Sequence, residues 1–123
     1  MLQADLFPDF KGADTLLLWG DADGMADLHI AIAALSRGDM SQFRIKGDGD
    51  LFIKLAESDD RFSELSRSGN GLEWACSRAV LVEAEAMIAG LDEAPSGHHY
   101  MEISGHAGQV IVSKAEYPAS MRP

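Results

Sequence analysis

Apolar positions along this chain fall into two similar series separated by a polar stretch. Thr15–Trp19 is a short continuous apolar run ending at Gly20-Asp21, the pattern of a buried strand with a turn behind it. Met25, Leu28, Ile32 and Leu35 follow at spacings of three and four, which gathers them on one face of a helix. Asp21 or Asp23 can cap that helix, Arg37 with Gly38 closes it, and Ala31, Ala33 and Ala34 favour it. Phe43–Ile45 and Leu51–Leu55 then flank Lys46-Gly47-Asp48-Gly49-Asp50, a hairpin signal that puts Leu51, Ile53 and Leu55 on one face and Phe52 and Lys54 on the other.

The second series repeats this order. Leu72–Cys76 alternates and fits a strand, although the same residues could open a longer helix. Arg78–Leu91 is helical, with Val80, Ala84, Met87 and Leu91 on one face and Pro95 as its stop. His99–Ile103 and Gln109–Lys114 form a second hairpin around Ser104-Gly105-His106-Ala107-Gly108. Laid over each other, Trp19 meets Trp74, Leu35 meets Leu91, Ile45 meets Ile103, Ile53 meets Val112, and Ala56-Glu57 meets Ala115-Glu116.

The expected architecture is one α+β domain, a two-layer sandwich. An antiparallel sheet of about six strands carries two helices on one face, built from a βαββ duplication. Residues 15–57 and 72–117 are the two halves. Residues 1–14 are an N-terminal arm whose aromatics cover a sheet edge or the core. Residues 58–71 are a polar linker in which Ser58-Asp59-Asp60 caps a turn or two carrying Phe62 and Leu65, and residues 118–123 are a tail. Val82, Ala86 and Ala89 leave the outer side of the second helix nearly apolar, so the arm, the linker or a second subunit in a homodimer is expected to cover it.

Composition narrows the setting. A chain of 123 residues that is 46% hydrophobic sustains a single core. Its apolar runs fall far short of the roughly 20 residues a membrane helix needs. Asp5, Asp9 and Asp14 leave residues 1–15 unlike a secretory signal, so a cytoplasmic address is expected. The formal charge of −10 argues against nucleic acid and anionic membranes as partners. The excess is uneven, with twelve acids against five bases in residues 1–60 and eight against five in residues 61–123. Asp21, Asp23, Asp48 and Asp50, in loops expected at one end of the sheet, are therefore the candidate docking residues for a basic protein.

Candidate chemistry adds little. Asp21-Ala22-Asp23-Gly24 starts like a calcium loop, but Met25 and Ile32 stand where further ligands belong, and helix capping explains it better. Asp48 and Asp50 suit turn amides better than a metal. His98 and His99 point to opposite faces of a strand and His106 lies in the following turn, which disfavours a metal site. These three histidines remain candidates for binding a small ligand in a helix–sheet pocket. Cys76, the only cysteine, reads as packing. Glu83 and Glu85, two apart, diverge on a helix, and neither a phosphate loop nor a Gly-x-Ser-x-Gly elbow occurs. No metal or other cofactor is implied.

Trp19-Gly20-Asp21 leading to Gly24-Met25-x-x-Leu28, a helix, a histidine-bearing strand with His99, Met101 and Ile103, and a final apolar strand Gln109–Val112 together resemble a small immunity protein family that accompanies bacterial polymorphic toxins. The resemblance implies a compact strand-helix-hairpin plan and a non-enzymatic binder that blocks a toxin. The expected function is thus a non-catalytic, acidic protein-binding module. A small ligand-binding domain or enzyme with a pocket near the histidine-bearing strand is the alternative.

Overall fold

The computed structural model describes residues 1–10, 13–47, 49–58, 60–102, 104–105 and 109–114. Its elements follow in the order β1 (Leu2–Phe10), β2 (Ala13–Gly20), α1 (Ala22–Arg37), β3 (Gln42–Ile45), β4 (Leu51–Leu55), β5 (Ser63–Ser68), β6 (Gly71–Cys76), α2 (Arg78–Glu93), β7 (Gly97–Glu102), the two-residue β8 (Ser104–Gly105) and β9 (Gln109–Lys114). The class is α+β, and Leu72–Cys76 belongs to a strand. No helix among the described residues is long and apolar enough to cross a membrane.

The strands do not form one antiparallel sheet of six. They form two mixed sheets, sheet A in the order β1-β2-β9-β7 and sheet B in the order β3-β4-β6-β5, with β8 added at the β5 edge. Within each half, one hairpin joins sheet A and the other joins sheet B. The intervening helix has 16 residues, a rise of roughly 24 Å, and carries the chain from one sheet to the other. The hairpins then meet across the halves through parallel central pairs, β2 with β9 and β4 with β6.

Two segments read as connections are strands. The arm is β1, which alternates Leu2, Ala4 and Leu6 toward the core with Gln3, Asp5 and Phe7 on the other side and pairs antiparallel with β2. The linker contains β5, which pairs antiparallel with β6 through a Gly69-Asn70 turn and buries Leu65 completely opposite Trp74. The first half therefore has the order ββαββ rather than βαββ, and the second the same order with the two-residue β8 between its last two strands.

The main core gathers Leu16, Leu18, Val110 and Val112 from sheet A, Leu51, Ile53, Leu65, Trp74 and Cys76 from sheet B, and the buried faces of both helices. Met25, Leu28, Ile32 and Leu35 are fully buried on α1. On α2 the buried set is Val80, Leu81, Ala84, Ile88 and Leu91, while Met87 is only partly covered. The helices cross-link through two polar contacts, His29 Nδ1 with Asp92 Oδ2 at 3.3 Å and Ser36 Oγ donating to Glu85 Oε2 at 3.3 Å.

The helices end differently. Asp21 caps α1, its carboxylate accepting from the Gly24 amide at 2.8 Å, and Gly38 closes it at φ 78°, a conformation that favours glycine. Helix α2 has neither a glycine cap nor a basic residue in its last turn. Instead the buried Lys114 ammonium of β9 donates to the carbonyls of Asp92 (2.7 Å) and Ala94 (2.6 Å).

Candidate functional site

The inner faces of both sheets are occupied by packing, so the outer faces carry whatever else the sheets do. Successive strand residues alternate sides, and register places side by side those that share a face. On sheet A this gives one row of Gln3, Trp19, Ser113 and His98, a second of Asp5, Leu17, Ile111 and Tyr100, and a third with Phe7, Thr15 and Gln109.

The floor of this face is apolar and buried. Phe7, Leu17, Trp19 and Ile111 form a second small cluster, separate from the main core. Polar groups surround it in defined pairs. Trp19 donates its indole N–H to Asp5 at 3.1 Å, and Gln109 Nε2 donates to Thr15 Oγ1 at 2.9 Å. At the β7 side the rings of His98 and Tyr100 meet edge to face with centroids 5.1 Å apart, and Tyr100 is 44% exposed. The Ser113 hydroxyl, between Trp19 and His98 in its row, is buried without a hydrogen-bond partner among the described residues. An orphaned hydroxyl costs free energy unless water or a ligand satisfies it.

Sheet B's outer face is different. Arg44, Phe52, Glu73 and Ser66 share one row, and Gln42, Lys54, Ala75 and Glu64 the next. Its side chains are half-buried or exposed, and Lys54 pairs with Glu73 at 2.6 Å. It is a solvent face.

Of the acidic residues singled out by sequence, Asp21 and Asp23 lie at the start of α1 and Asp50 just before β4. Asp21 lies beyond the C-terminal end of β2 in sheet A. Its carboxylate contacts the Met1 ammonium at 2.6 Å, and its amide donates to the Met1 carbonyl at 3.1 Å. That carbonyl packs against Gly24, where a Cβ would collide with it. The ammonium, followed by the Gly24 amide, holds the Asp21 carboxyl below its ordinary pKa. Asp23 is exposed in the first turn of α1. Asp50 precedes β4 in sheet B and pairs with Arg44 at 2.6 Å. Asp48 lies outside the described residues, as does His106.

His98 faces the outer side of sheet A. His99 occupies the opposite side, in register with Val112 of the core row, and both are exposed. A shallow, open depression of about 260 Å³ lies at the α1–β3 connection, lined by Gly38, Asp39, Met40, Ser41, Leu55 and Glu57. Among the described residues no three of His, Cys, Asp and Glu gather as metal ligands would. Cys76 is buried in the core, and burial pushes its thiol pKa well up, which keeps it protonated and unreactive.

Sequence reasoning missed Asp5, Trp19, Thr15, Gln109, Ser113 and Tyr100 as a group. Their signal was the period-two alternation Leu2-Gln3-Ala4-Asp5-Leu6, which marks a strand ahead of the apolar run at Thr15. Compared with known proteins, the chain matches no family model, no curated protein and no solved structure.

Proposed function

We propose that the protein is a non-catalytic, acidic protein-binding module that acts in the cytoplasm on a basic protein, in the manner of an immunity protein neutralising a toxin. One observation carries this reading, the uneven use of charge. Arg37, Arg44, Lys54 and Arg61 are engaged by Asp39, Asp50, Glu73 and Glu83, and Lys114 by helix carbonyls. With twenty acids against ten bases, this leaves many carboxylates to set the surface field. Such a field steers a cationic partner and raises its association rate, an effect screened over about 8 Å at physiological salt. The repeated ββαββ order further supports origin by duplication of one half.

The test is capture and identification of the partner from the native host, followed by association kinetics across a salt series. The rate is expected to fall steeply with salt, and to fall again when Asp23 and Asp48 are changed to lysine. Binding indifferent to both overturns the reading. Small-ligand binding is the second reading, placed here on the outer side of sheet A. The orphaned Ser113 hydroxyl beside Trp19 favours it, and quenching of Trp19 fluorescence by a compound that loses affinity in Ser113→Ala supports it.

A further inference from the structure

The outer side of sheet A is buried although no element among the described residues lies over it. Leu17 is 2% exposed, Thr15, Ile111 and Ser113 are 0%, and Phe7 and Trp19 are 8%. An uncovered sheet leaves the tips of its side chains in water, whereas a parallel pair such as β2–β9 is ordinarily packed on both sides. The described members of the cluster all come from β1, β2 and β9 themselves. Further along the same rows, His98 and Tyr100 of β7 are exposed. The covered area is thus a strip centred on β2 and β9, roughly 10 Å wide, that runs lengthwise along the strands.

Chain connectivity leaves one source for the cover. Strand β9 ends at Lys114 beside Gly20, next to the buried row of Trp19 and Ser113. The strand ends joined through residues 11–12, 103 and 106–108 lie at the other end of the sheet, beside Thr15 and Gln109. Thr15 is four residues from Trp19 along β2, about 13 Å at the rise of a strand. Near Lys114 the described neighbours keep to the helix side. The Lys114 ammonium reaches the carbonyls of Asp92 and Ala94, and the Met1 carbonyl packs against Gly24. Residues 115–123 continue the chain from the buried row itself. Nine residues reach roughly 30 Å when extended, more than the length of the strip. They include Tyr117, Pro118 and Met121 and balance one acid with one base, so a surface of net charge −10 does not repel them.

We propose that residues 115–123 dock lengthwise on the outer side of sheet A, over β2 and β9, as a strap that closes this side to other partners. The segment starts at the floor it covers, so no long loop has to be closed and little chain entropy opposes its docking. It holds by apolar contact with Phe7, Leu17, Trp19 and Ile111 rather than by strand pairing, since β2 and β9 are bonded along both edges. Such contact is reversible, and whatever reaches Trp19 or Ser113 has first to lift the strap. The strap goes beyond the ligand reading of the same side and stands without it.

The two tryptophans make the test internal, because Trp19 lies under the strap and Trp74 in the main core. Cys76 is buried and protonated, so in full-length Met121→Cys a thiol-reactive nitroxide labels position 121 alone. The label is expected to broaden the Trp19 indole N–H in the magnetic resonance spectrum and to spare that of Trp74. Adding Tyr117→Asp should abolish the broadening and speed hydrogen exchange at the Trp19 indole by about tenfold or more, with the helical circular dichroism unchanged. Broadening of neither indole, or of both alike, overturns the proposal. So does a Trp19 indole as well protected in Tyr117→Asp as in the unaltered chain.

Discussion

Sheets A and B are built alike on the inside and unlike on the outside. Each takes one hairpin from each half, joins them by a parallel pair, and presents a row of large apolar side chains to the helices. The register sets Leu18 opposite Val112 in one sheet as it sets Trp74 opposite Ile53 in the other. Outside, sheet A has a buried aromatic cluster ringed by paired polar groups, while sheet B has an ordinary charged lattice. Inner faces are dictated by packing on the helices, so similarity there reflects the needs of folding. Outside they diverge, because sheet A's outer side is itself packed around a second buried cluster while sheet B's is solvated.

The largest expected effects test the claim that the inner faces are equivalent. Trp74→Ala removes a fully buried indole whose N–H donates to Ser63 Oγ at 2.7 Å, and should cost about 3–5 kcal/mol in denaturant unfolding. Leu18→Ala should cost about 2–5 kcal/mol. If one were tolerated and the other not, the equivalence would fail. Lys114→Met, which abandons two carbonyls at the end of α2, is expected to cost about 2 kcal/mol and to speed amide exchange at that helix end.

The outer faces call for smaller changes of different sign. Ser113→Ala should stabilise the free protein by about 1 kcal/mol, because it removes a buried hydroxyl without a partner. A loss instead would mean that an ordered water already satisfies the group. On sheet B, a double-mutant cycle on Lys54 and Glu73 should give about 0.5 kcal/mol or less, vanishing at high salt. Asp21 contributes through pH. Its folded pKa is lowered, so its stabilisation is present above the ordinary carboxylate pKa and is lost as pH falls through the lowered value. Asp21→Asn should remove that part of the acid sensitivity of the melting temperature, a small effect for so exposed a group.

Both helices, their stops and the two loop hairpins were legible because period and cap are local. The Leu51-Ile53-Leu55 face also agrees with the structure. The Trp19–Trp74 match misled. Trp74 points into the main core and Trp19 away from it, so the residue standing where Trp74 stands is Leu18, and a slip of one reverses the face. Ile45 stands opposite Leu51 and Met101 opposite Val110, while Ile103 lies outside the described residues. Strand β5 was hidden because Leu65 is its one apolar residue, although Gly69-Asn70 was a readable hairpin turn. Sheet partnership is a long-range matter that local pattern does not encode, and the outer-face site depends on it entirely.

The place of β9 has a consequence for how the protein is made. It is the last strand in the described chain, yet it lies between β2 and β7, bonded to both. During synthesis the β1–β2 hairpin must wait with a bare inner edge until residues 109–114 leave the ribosome. At ~5–20 residues per second, that interval lasts on the order of several seconds. Throughout it the edge of β2 is open to any passing strand, so chaperone demand should peak on nascent chains stalled just short of Gln109 and drop once β9 emerges.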